Sequence, residues 1–199
     1  MAEPVRVIVP ADEGQNRLWG IPLLGVWVRA LLVIPQAIIL FFAAIASAFV
    51  ILVSWIPILL NGRMASWGYA ISGGYLRLAA RSAMWVILIT GRYPPFGLSG
   101  DHPVDVVFDE TEDQNRLWGI PFIGIWVRVI LLIPHFIALW LLGIVMAFLF
   151  LVLWIPVLLN GRQNDSIVNF VGGYYRWAIR VSSYALLLTG KYPPFTLGE

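Results

Sequence analysis

The side chains of this chain that are best suited to chemistry are arginines, and they recur in two halves of the sequence. An arginine guanidinium binds a phosphate or a carboxylate through two parallel hydrogen bonds. Acidic residues are absent from Gly14 through Gly100. The arginines therefore predict contacts with anionic membrane lipid or with a partner protein. The candidate contact residues are Arg29, Arg63, Arg77, Arg81, Arg128, Arg162, Arg176 and Arg180.

Two ordinary roles compete with phosphate binding for these arginines. Basic residues flank membrane segments on the cytoplasmic side, and arginines also cap the carbonyl groups of helix ends. Arg77 and Arg81 are one helical turn apart, so both point from one helix face. At mid-bilayer each arginine would cost at least ~2.5 kcal/mol. We therefore expect this pair on an interfacial helix or in a protected groove.

One histidine lies inside an apolar segment. His135 follows Pro134, and an ionisable group in a membrane helix is a candidate ligand or proton carrier. Its equivalent in the first half is Gln36, so such chemistry would exist only once. An interfacial, hydrogen-bonded histidine is the alternative interpretation.

Other chemistry is not indicated by the sequence. It has no cysteine, no repeated carboxylate near a histidine, and no serine in a nucleophile-elbow context. Metal-ligand spacing, a phosphate-binding glycine loop and nucleic-acid motifs are also missing. We expect no enzyme activity, no cofactor, no metal site and no nucleic acid partner.

The elements that position these side chains occur in two copies. The sequence NRLWGIP at residues 16–22 returns at residues 115–121, and the match continues without a gap to Phe96 and Phe195. An uninterrupted match at an offset of 99 residues indicates an internal duplication. The predicted organisation is a polar tail (1–15), a membrane repeat (16–98), an acidic linker (99–114) and a second membrane repeat (115–199).

Composition places both repeats in a membrane. The chain is 60% hydrophobic and 12% charged, with a mean hydropathy of +0.83, far too apolar for a soluble domain. Residues 30–60 and 129–159 each exceed the ~18 apolar residues that mark a membrane helix. We expect an all-α integral membrane fold. Each repeat would hold a long apolar helix, kinked at Pro35 or Pro134, and an arginine-bearing amphipathic or interfacial helix.

Length and charge constrain the topology. A helix from Leu23 to Leu60 would be about 57 Å long, nearly twice a hydrocarbon core of ~30 Å, so it has to break or turn. We expect an interfacial helix over 19–34 and a spanning helix over 36–60, with a re-entrant hairpin as the alternative. Two passes or intrusions per repeat would give parallel copies around a pseudo-two-fold axis along the membrane normal. The termini and the linker would then be cytoplasmic.

Small residues four positions apart indicate where helices meet. Ala44 with Ala48, and Gly143 with Ala147, form pairs that let membrane helices approach closely. Ala43 and Ser47 form a further pair beside the first. We expect these faces to pack the two repeats on each other, with contact to a separate membrane protein as the alternative.

Several separated motifs resemble a known family. In the second repeat they are Ile133-Pro134-His135, WIPVLLNGR at 154–162, GGYYRW at 172–177 and TGKYPPF at 189–195. The first repeat departs from the family at Gln36, where it often has histidine, and at Leu78, where it often has tryptophan. The pattern resembles the bacterial membrane family catalogued as domain of unknown function 4389. The resemblance implies a multi-pass protein of the bacterial inner membrane and supplies no activity.

The expected function is non-enzymatic. We expect an accessory or scaffold subunit of a larger bacterial membrane complex, anchored by interfacial arginine, tryptophan and tyrosine and in contact with anionic lipid. The alternatives are a small carrier or channel with its path at the repeat interface, and a bilayer-shaping hairpin protein. A carrier needs polar groups in broken helices near the midplane, for which Pro35 with Gln36 and Pro134 with His135 are the candidates.

Overall fold

The computed structural model describes residues 3–10, 13–22, 24–121 and 123–198, which form a mostly helical protein. The tail contains strand β1 (Val5–Ile8) and the linker contains strand β2 (Asp105–Phe108). The first repeat contains a 3₁₀ turn (Arg17–Gly20) and the helices α1 (Leu24–Leu32), α2 (Ile34–Asn61), α3 (Ser66–Gly68) and α4 (Gly74–Val86). A π-helical turn (Tyr69–Gly73) joins α3 to α4. The second repeat contains a 3₁₀ turn (Arg116–Gly119), α5 (Ile123–Phe150), α6 (Trp154–Asn160) and α7 (Asp165–Ala185).

A two-stranded antiparallel sheet joins the repeats. β1 from the tail pairs with β2 from the linker, and Val7 lies opposite Val106, its own equivalent at the offset of 99 residues. These valines are buried in the main core, and β-branched side chains favour strands. The expectation of an all-α fold is therefore corrected, because the tail and the linker form a short sheet.

The ends of the long apolar segments agree with the sequence pattern. α2 ends at Asn61 and α6 ends at Asn160. The residues that follow, Gly62 and Gly161, have φ angles of 71° and 70°. Glycine adopts this left-handed conformation without the steric cost of a Cβ atom, and it stops a helix there.

The interruptions of these segments differ between the repeats. In the first repeat α1 ends at Leu32 and α2 begins at Ile34, next to Pro35. In the second repeat α5 continues through Pro134, and the interruption lies at 151–153. The helix therefore does not break at Pro134. A proline inside a helix removes one backbone donor, and the surrounding turns can still continue.

Within the described residues, two helices are long and apolar enough to cross a membrane, judged by length and composition. They are Ile34–Asn61 and Gly124–Phe150, whose most apolar 18-residue stretches have mean hydropathies of 2.8 and 2.5. Only 22% and 17% of the residues in these two stretches are buried inside the protein. The exposed side chains include Phe42 and Phe148. Apolar surface of this extent indicates contact with a membrane or a partner.

The repeats contact each other through the ends of the long segments. The first 3₁₀ turn packs on α6, and the second packs on the end of α2. Gly20 lies so close to Leu158 that an added Cβ atom would overlap its backbone, and Gly119 lies equally close to Leu59. Each repeat therefore docks its turn on the helix of the other.

The predicted small-residue faces do not make this contact. Ala44, Ala48 and Ala147 are exposed. Gly143 is half-buried, where an added Cβ atom would lie 3.7 Å from the hydroxyl of Tyr174 in the same repeat. The expectation that these four residues pack the repeats on each other is therefore wrong, because the repeats meet at the helix ends, in the sheet and between α4 and α7. Ala43 and Ser47, the neighbouring small-residue pair, are buried.

The strand pairing predicts which two introduced cysteines can form a disulfide, and no native cysteine among the described residues would compete. Arg6 lies opposite Val107 at the accessible face of the sheet. Directly opposed residues of antiparallel strands have Cα atoms about 4.5–5.5 Å apart, within disulfide range. Arg6→Cys with Val107→Cys should therefore form an intramolecular disulfide under mild oxidation, measured by mass spectrometry of peptides. The pair Arg6→Cys with Glu110→Cys is the control, since its second cysteine lies about 10 Å further along the chain. Equal yields in both variants would contradict this register.

Candidate functional site

The first site forms around Arg29 of α1, whose side chain is fully buried. Its Nη1 donates to the carbonyl oxygens of Trp85 at 2.5 Å and Thr90 at 2.9 Å. Its Nη2 donates to Oε1 of Gln15 at 3.0 Å. The guanidinium carbon lies 4.8 Å from the ring centre of Trp19 and 4.9 Å from that of Trp85. A desolvated cation between two indole rings gains cation–π attraction.

The carbonyl groups that Arg29 binds belong to the turn that ends α4. Leu88 has a φ of 65°, a left-handed conformation that is costly for leucine. The amide of Ile89 donates to the carbonyl of Met84 at 2.9 Å, which closes the turn. Gln15 Nε2 donates to the carbonyl of Leu88 at 2.7 Å. Arg29 and Gln15 therefore cap a helix C-terminus, where the helix dipole also favours a positive charge.

The second repeat has the same arrangement around Arg128, which is also fully buried. Its Nη1 donates to the carbonyl oxygens of Tyr184 and Thr189, both at 2.7 Å. Its Nη2 donates to Oε1 of Gln114 at 3.0 Å. Leu187, the equivalent of Leu88, has a φ of 63°. We call these two groups of residues the arginine caps.

The positions of Arg29 and Arg128 correct an expectation. Both were expected to contact lipid or a partner, but their side chains lie in the interior and bind the chain's own carbonyl groups. Both arginines cap backbone carbonyl groups, which was the alternative role. Burial lowers the pKa of Arg29 to about 10, so this guanidinium stays charged at neutral pH.

Arg77 and Arg81 of α4 face the linker strand. Arg81 is buried, and its Nη2 lies 2.9 Å from Oδ1 of Asp105 and donates to the carbonyl of Gly100 at 2.9 Å. Arg77 Nε donates to the carbonyl of Val106 at 2.8 Å. The acidic group next to this pair is therefore the chain's own Asp105, whereas an anionic headgroup or a carboxylate of a partner protein was expected.

The remaining predicted arginines have mixed surroundings. Arg176 Nε donates to the carbonyl of Val7 at 3.4 Å, and Arg180 Nη1 donates to that of Gly198 at 2.9 Å. Arg63 and Arg162 are exposed. Arg63 forms an ion pair of 2.6 Å with Asp113, which holds the pKa of that carboxyl below its usual range. Lipid or partner contact by Arg63, Arg162, Arg176 and Arg180 stays a prediction.

His135 fastens the C-terminal segment of the second repeat to α5. Its Nδ1 accepts a hydrogen bond of 2.9 Å from Trp177 Nε1, and its ring stacks on Phe195 with centres 3.8 Å apart. Gln36 binds the C-terminal segment of the first repeat in the same way. It donates a hydrogen bond to the carbonyl of Pro94 at 3.1 Å and accepts one from the hydroxyl of Tyr93 at 3.0 Å. The structure therefore gives His135 a hydrogen-bonding and packing role.

A metal centre has no support in the described part of the chain, where no group of three His, Cys, Asp or Glu side chains could hold an ion. The sequence interpretation missed the two glutamines of the arginine caps. Gln15 and Gln114 precede the same NRLWG motif at an offset of 99 residues. Repetition of a polar residue next to a repeated arginine was the signal that could have found them.

These features define a class of protein: two tandem helical units, each with an arginine cap and a long apolar segment. The family described as domain of unknown function (DUF4389) matches the chain twice, over residues 24–97 and 123–196. The chain belongs to this family as two consecutive copies. No curated protein and no solved structure matches it.

The arginine caps predict a large loss of stability when either arginine is removed. Arg29→Leu leaves the Thr90 carbonyl and the Gln15 amide oxygen buried without their donor and leaves the Trp85 carbonyl with the Leu88 amide alone, so we expect it to lower the free energy of unfolding by about 3–5 kcal/mol. Arg128→Leu should cost a similar amount. The measurement is denaturant unfolding in detergent, followed by tryptophan fluorescence.

Arg17→Leu is the matched control, because Arg17 is exposed and surface substitutions change stability by about 0.5 kcal/mol or less. A loss in Arg29→Leu no larger than in this control would show that the guanidinium does not hold the turn.

Proposed function

We propose that this protein is a non-enzymatic integral membrane scaffold, an accessory subunit of a larger membrane assembly. The proposal rests on a difference in chemistry between the interior and the surface of the protein. The buried arginines bind groups of the same chain, whereas the outer faces of α2 and α5 are apolar and exposed. Such faces suit lipid tails and the helices of other membrane proteins.

The exposed surface also carries groups typical of a membrane boundary. Trp27 and Trp126, at equivalent positions, are exposed beside the long apolar segments. Tryptophan concentrates at the membrane–water boundary, and arginine there attracts anionic headgroups. Arg17 and Arg116 are exposed at the turns that precede these segments. We therefore include anionic lipid among the proposed contacts of the scaffold.

We further propose that both repeats insert from one side of the membrane around a pseudo-two-fold axis. The sheet between tail and linker supports this, since two hydrogen-bonded strands lie on the same side of a membrane. Lys191 lies 2.8 Å from Glu3, which brings the C-terminal segment to the same place. The equivalence of Val7 and Val106 in the strand pair supports the axis.

The ends of the apolar segments support insertion from one side as well. The amide of Gln15 donates to the carbonyl of Gly161 at 2.6 Å, and that of Gln114 donates to the carbonyl of Gly62 at 2.7 Å. Gln114 lies six residues beyond β2, or at most roughly 20 Å of chain. Each apolar segment therefore begins and ends near the sheet.

This arrangement favours a second candidate function. A long helix with both ends on one side of the membrane lies along that side and occupies one leaflet more than the other, as in proteins that curve a bilayer. α2 alone is about 42 Å long, more than the ~30 Å of a hydrocarbon core. A bilayer-shaping protein is therefore the alternative to a scaffold.

Single-cysteine variants test the insertion. Arg6→Cys, Glu110→Cys, Asn61→Cys and Asn160→Cys all replace exposed residues. We expect an impermeant thiol reagent to label all four from the same side of sealed membrane vesicles, because each lies near the sheet or at a segment end. The labelled peptides are identified by mass spectrometry. Labelling of Asn61→Cys from the opposite side would instead mean that α2 crosses the membrane completely.

Photo-cross-linking tests the scaffold itself. A benzophenone amino acid replaces Phe42 or Phe148, on the exposed faces of α2 and α5, in native membranes. We expect each site to yield a discrete protein adduct, with the same partner at fixed stoichiometry in mild-detergent extracts. Ile8 on β1 is the control, because it is exposed and apolar but belongs to the sheet. Adducts with lipid alone, together with free monomer in the extracts, would reject the scaffold and favour the bilayer-shaping alternative.

A further inference from the structure

Among the grooves that the described residues form between the repeats, two are apolar and equivalent to each other. The first groove has a volume of about 260 Å³ and is lined by Trp27 and Ala30 of the first repeat and by Phe150 and Trp154 of the second. The second groove has a volume of about 240 Å³ and is lined by Leu52 and Trp55 of the first repeat and by Trp118 and Ile125 of the second. Both repeats therefore contribute walls to each groove.

The two grooves occupy equivalent places in the fold. Trp55 and Trp154 are separated by the repeat offset, as are Leu52 and Leu151, which also line them. A feature that recurs at both junctions follows from the fold of the unit. Lining by aromatic and aliphatic side chains suits a hydrocarbon chain and excludes a polar ligand.

Each groove lies near a pair of arginines from different repeats. An added Cβ atom at Gly161, the residue before Arg162, would lie 3.4 Å from Cγ and Nε of Arg17. An added Cβ atom at Gly62, the residue before Arg63, would lie 3.7 Å from the same atoms of Arg116. Arg17 therefore lies beside the residue that precedes Arg162, and Arg116 lies beside the residue that precedes Arg63. We refer to Arg17 with Arg162, and to Arg116 with Arg63, as the arginine pairs.

The spacing between groove and arginine pair suits one amphipathic molecule. Trp154 precedes Gly161 by seven residues, and Trp55 precedes Gly62 by seven, which corresponds to about 10 Å along a helix. Asp113 lies beside the second arginine pair, where it forms an ion pair of 2.6 Å with Arg63 and offsets one of the two positive charges.

We propose that each repeat junction binds one anionic phospholipid, with an acyl chain in the groove and the phosphate at the arginine pair. This inference rests on the proposed membrane location of the protein. The apolar walls hold the chain, and the guanidinium groups select a headgroup with net negative charge. The first and second grooves give two sites per molecule.

Native mass spectrometry tests the proposal. The protein is reconstituted in vesicles of phosphatidylcholine and phosphatidylglycerol in equal amounts, and the lipids retained after gentle extraction are counted. Wild type should retain two phosphatidylglycerol molecules. Arg17→Gln with Arg162→Gln should retain one, and so should Arg63→Gln with Arg116→Gln. Arg6→Gln is the control for loss of an exposed arginine away from the grooves and should retain two.

A groove-filling variant tests the acyl site separately. Ala30→Phe places a ring in the first groove and should reduce the count from two to one, whereas Ala44→Phe, on an exposed face of α2 outside both grooves, should leave it at two. Equal retention in all variants, or retention of phosphatidylcholine as often as phosphatidylglycerol, would overturn the two sites. Flotation of the wild type with the vesicles separates this failure from failure of the membrane location, because a chain that does not float rejects both proposals.

Discussion

The burial of one guanidinium group in each repeat is the constraint on which much of the structure depends. A buried charge is tolerated only when it is paired and hydrogen-bonded. Arg29 is stabilised by hydrogen bonds to neutral groups: its Nη1 and Nη2 atoms donate to Trp85, Thr90 and Gln15, while its buried Nε has no hydrogen-bond partner. These partners come from a helix end, a following turn and the polar tail. The cap therefore fixes the position of α1 relative to α4.

The constraint also accounts for an unusual backbone. Leu88 and Leu187 adopt positive φ angles although neither is glycine. Their side chains are fully buried, so glycine at either position would relieve the backbone and leave a void. The hydrogen bonds from Gln15 and Gln114 to these leucine carbonyls hold the strained turn in place.

The sequence predicted the duplication, the ends of the apolar segments and the mostly helical fold. These features depend on local signals, such as the Asn-Gly pairs at 61–62 and 160–161. The direction of Arg29 could not be predicted, because a lipid phosphate and a backbone carbonyl attract the same guanidinium and only the tertiary fold supplies the carbonyl. The sheet was missed because its strands are about 100 residues apart. The packing role predicted for Ala44 and Ala48 was wrong because exposed and packed small residues cannot be distinguished in a sequence.

The pairing of Val7 with its own equivalent has a consequence for assembly. An isologous dimer contacts itself through the same patch on both subunits, and this strand register is the one that such a dimer of single units would form. Joining the units in one polypeptide makes their association independent of protein concentration. It also allows the sequences of the two copies to differ, so that the equivalent of Gln36 is His135 and the equivalent of Arg6 is Asp105. A symmetric dimer could not specialise one half in this way.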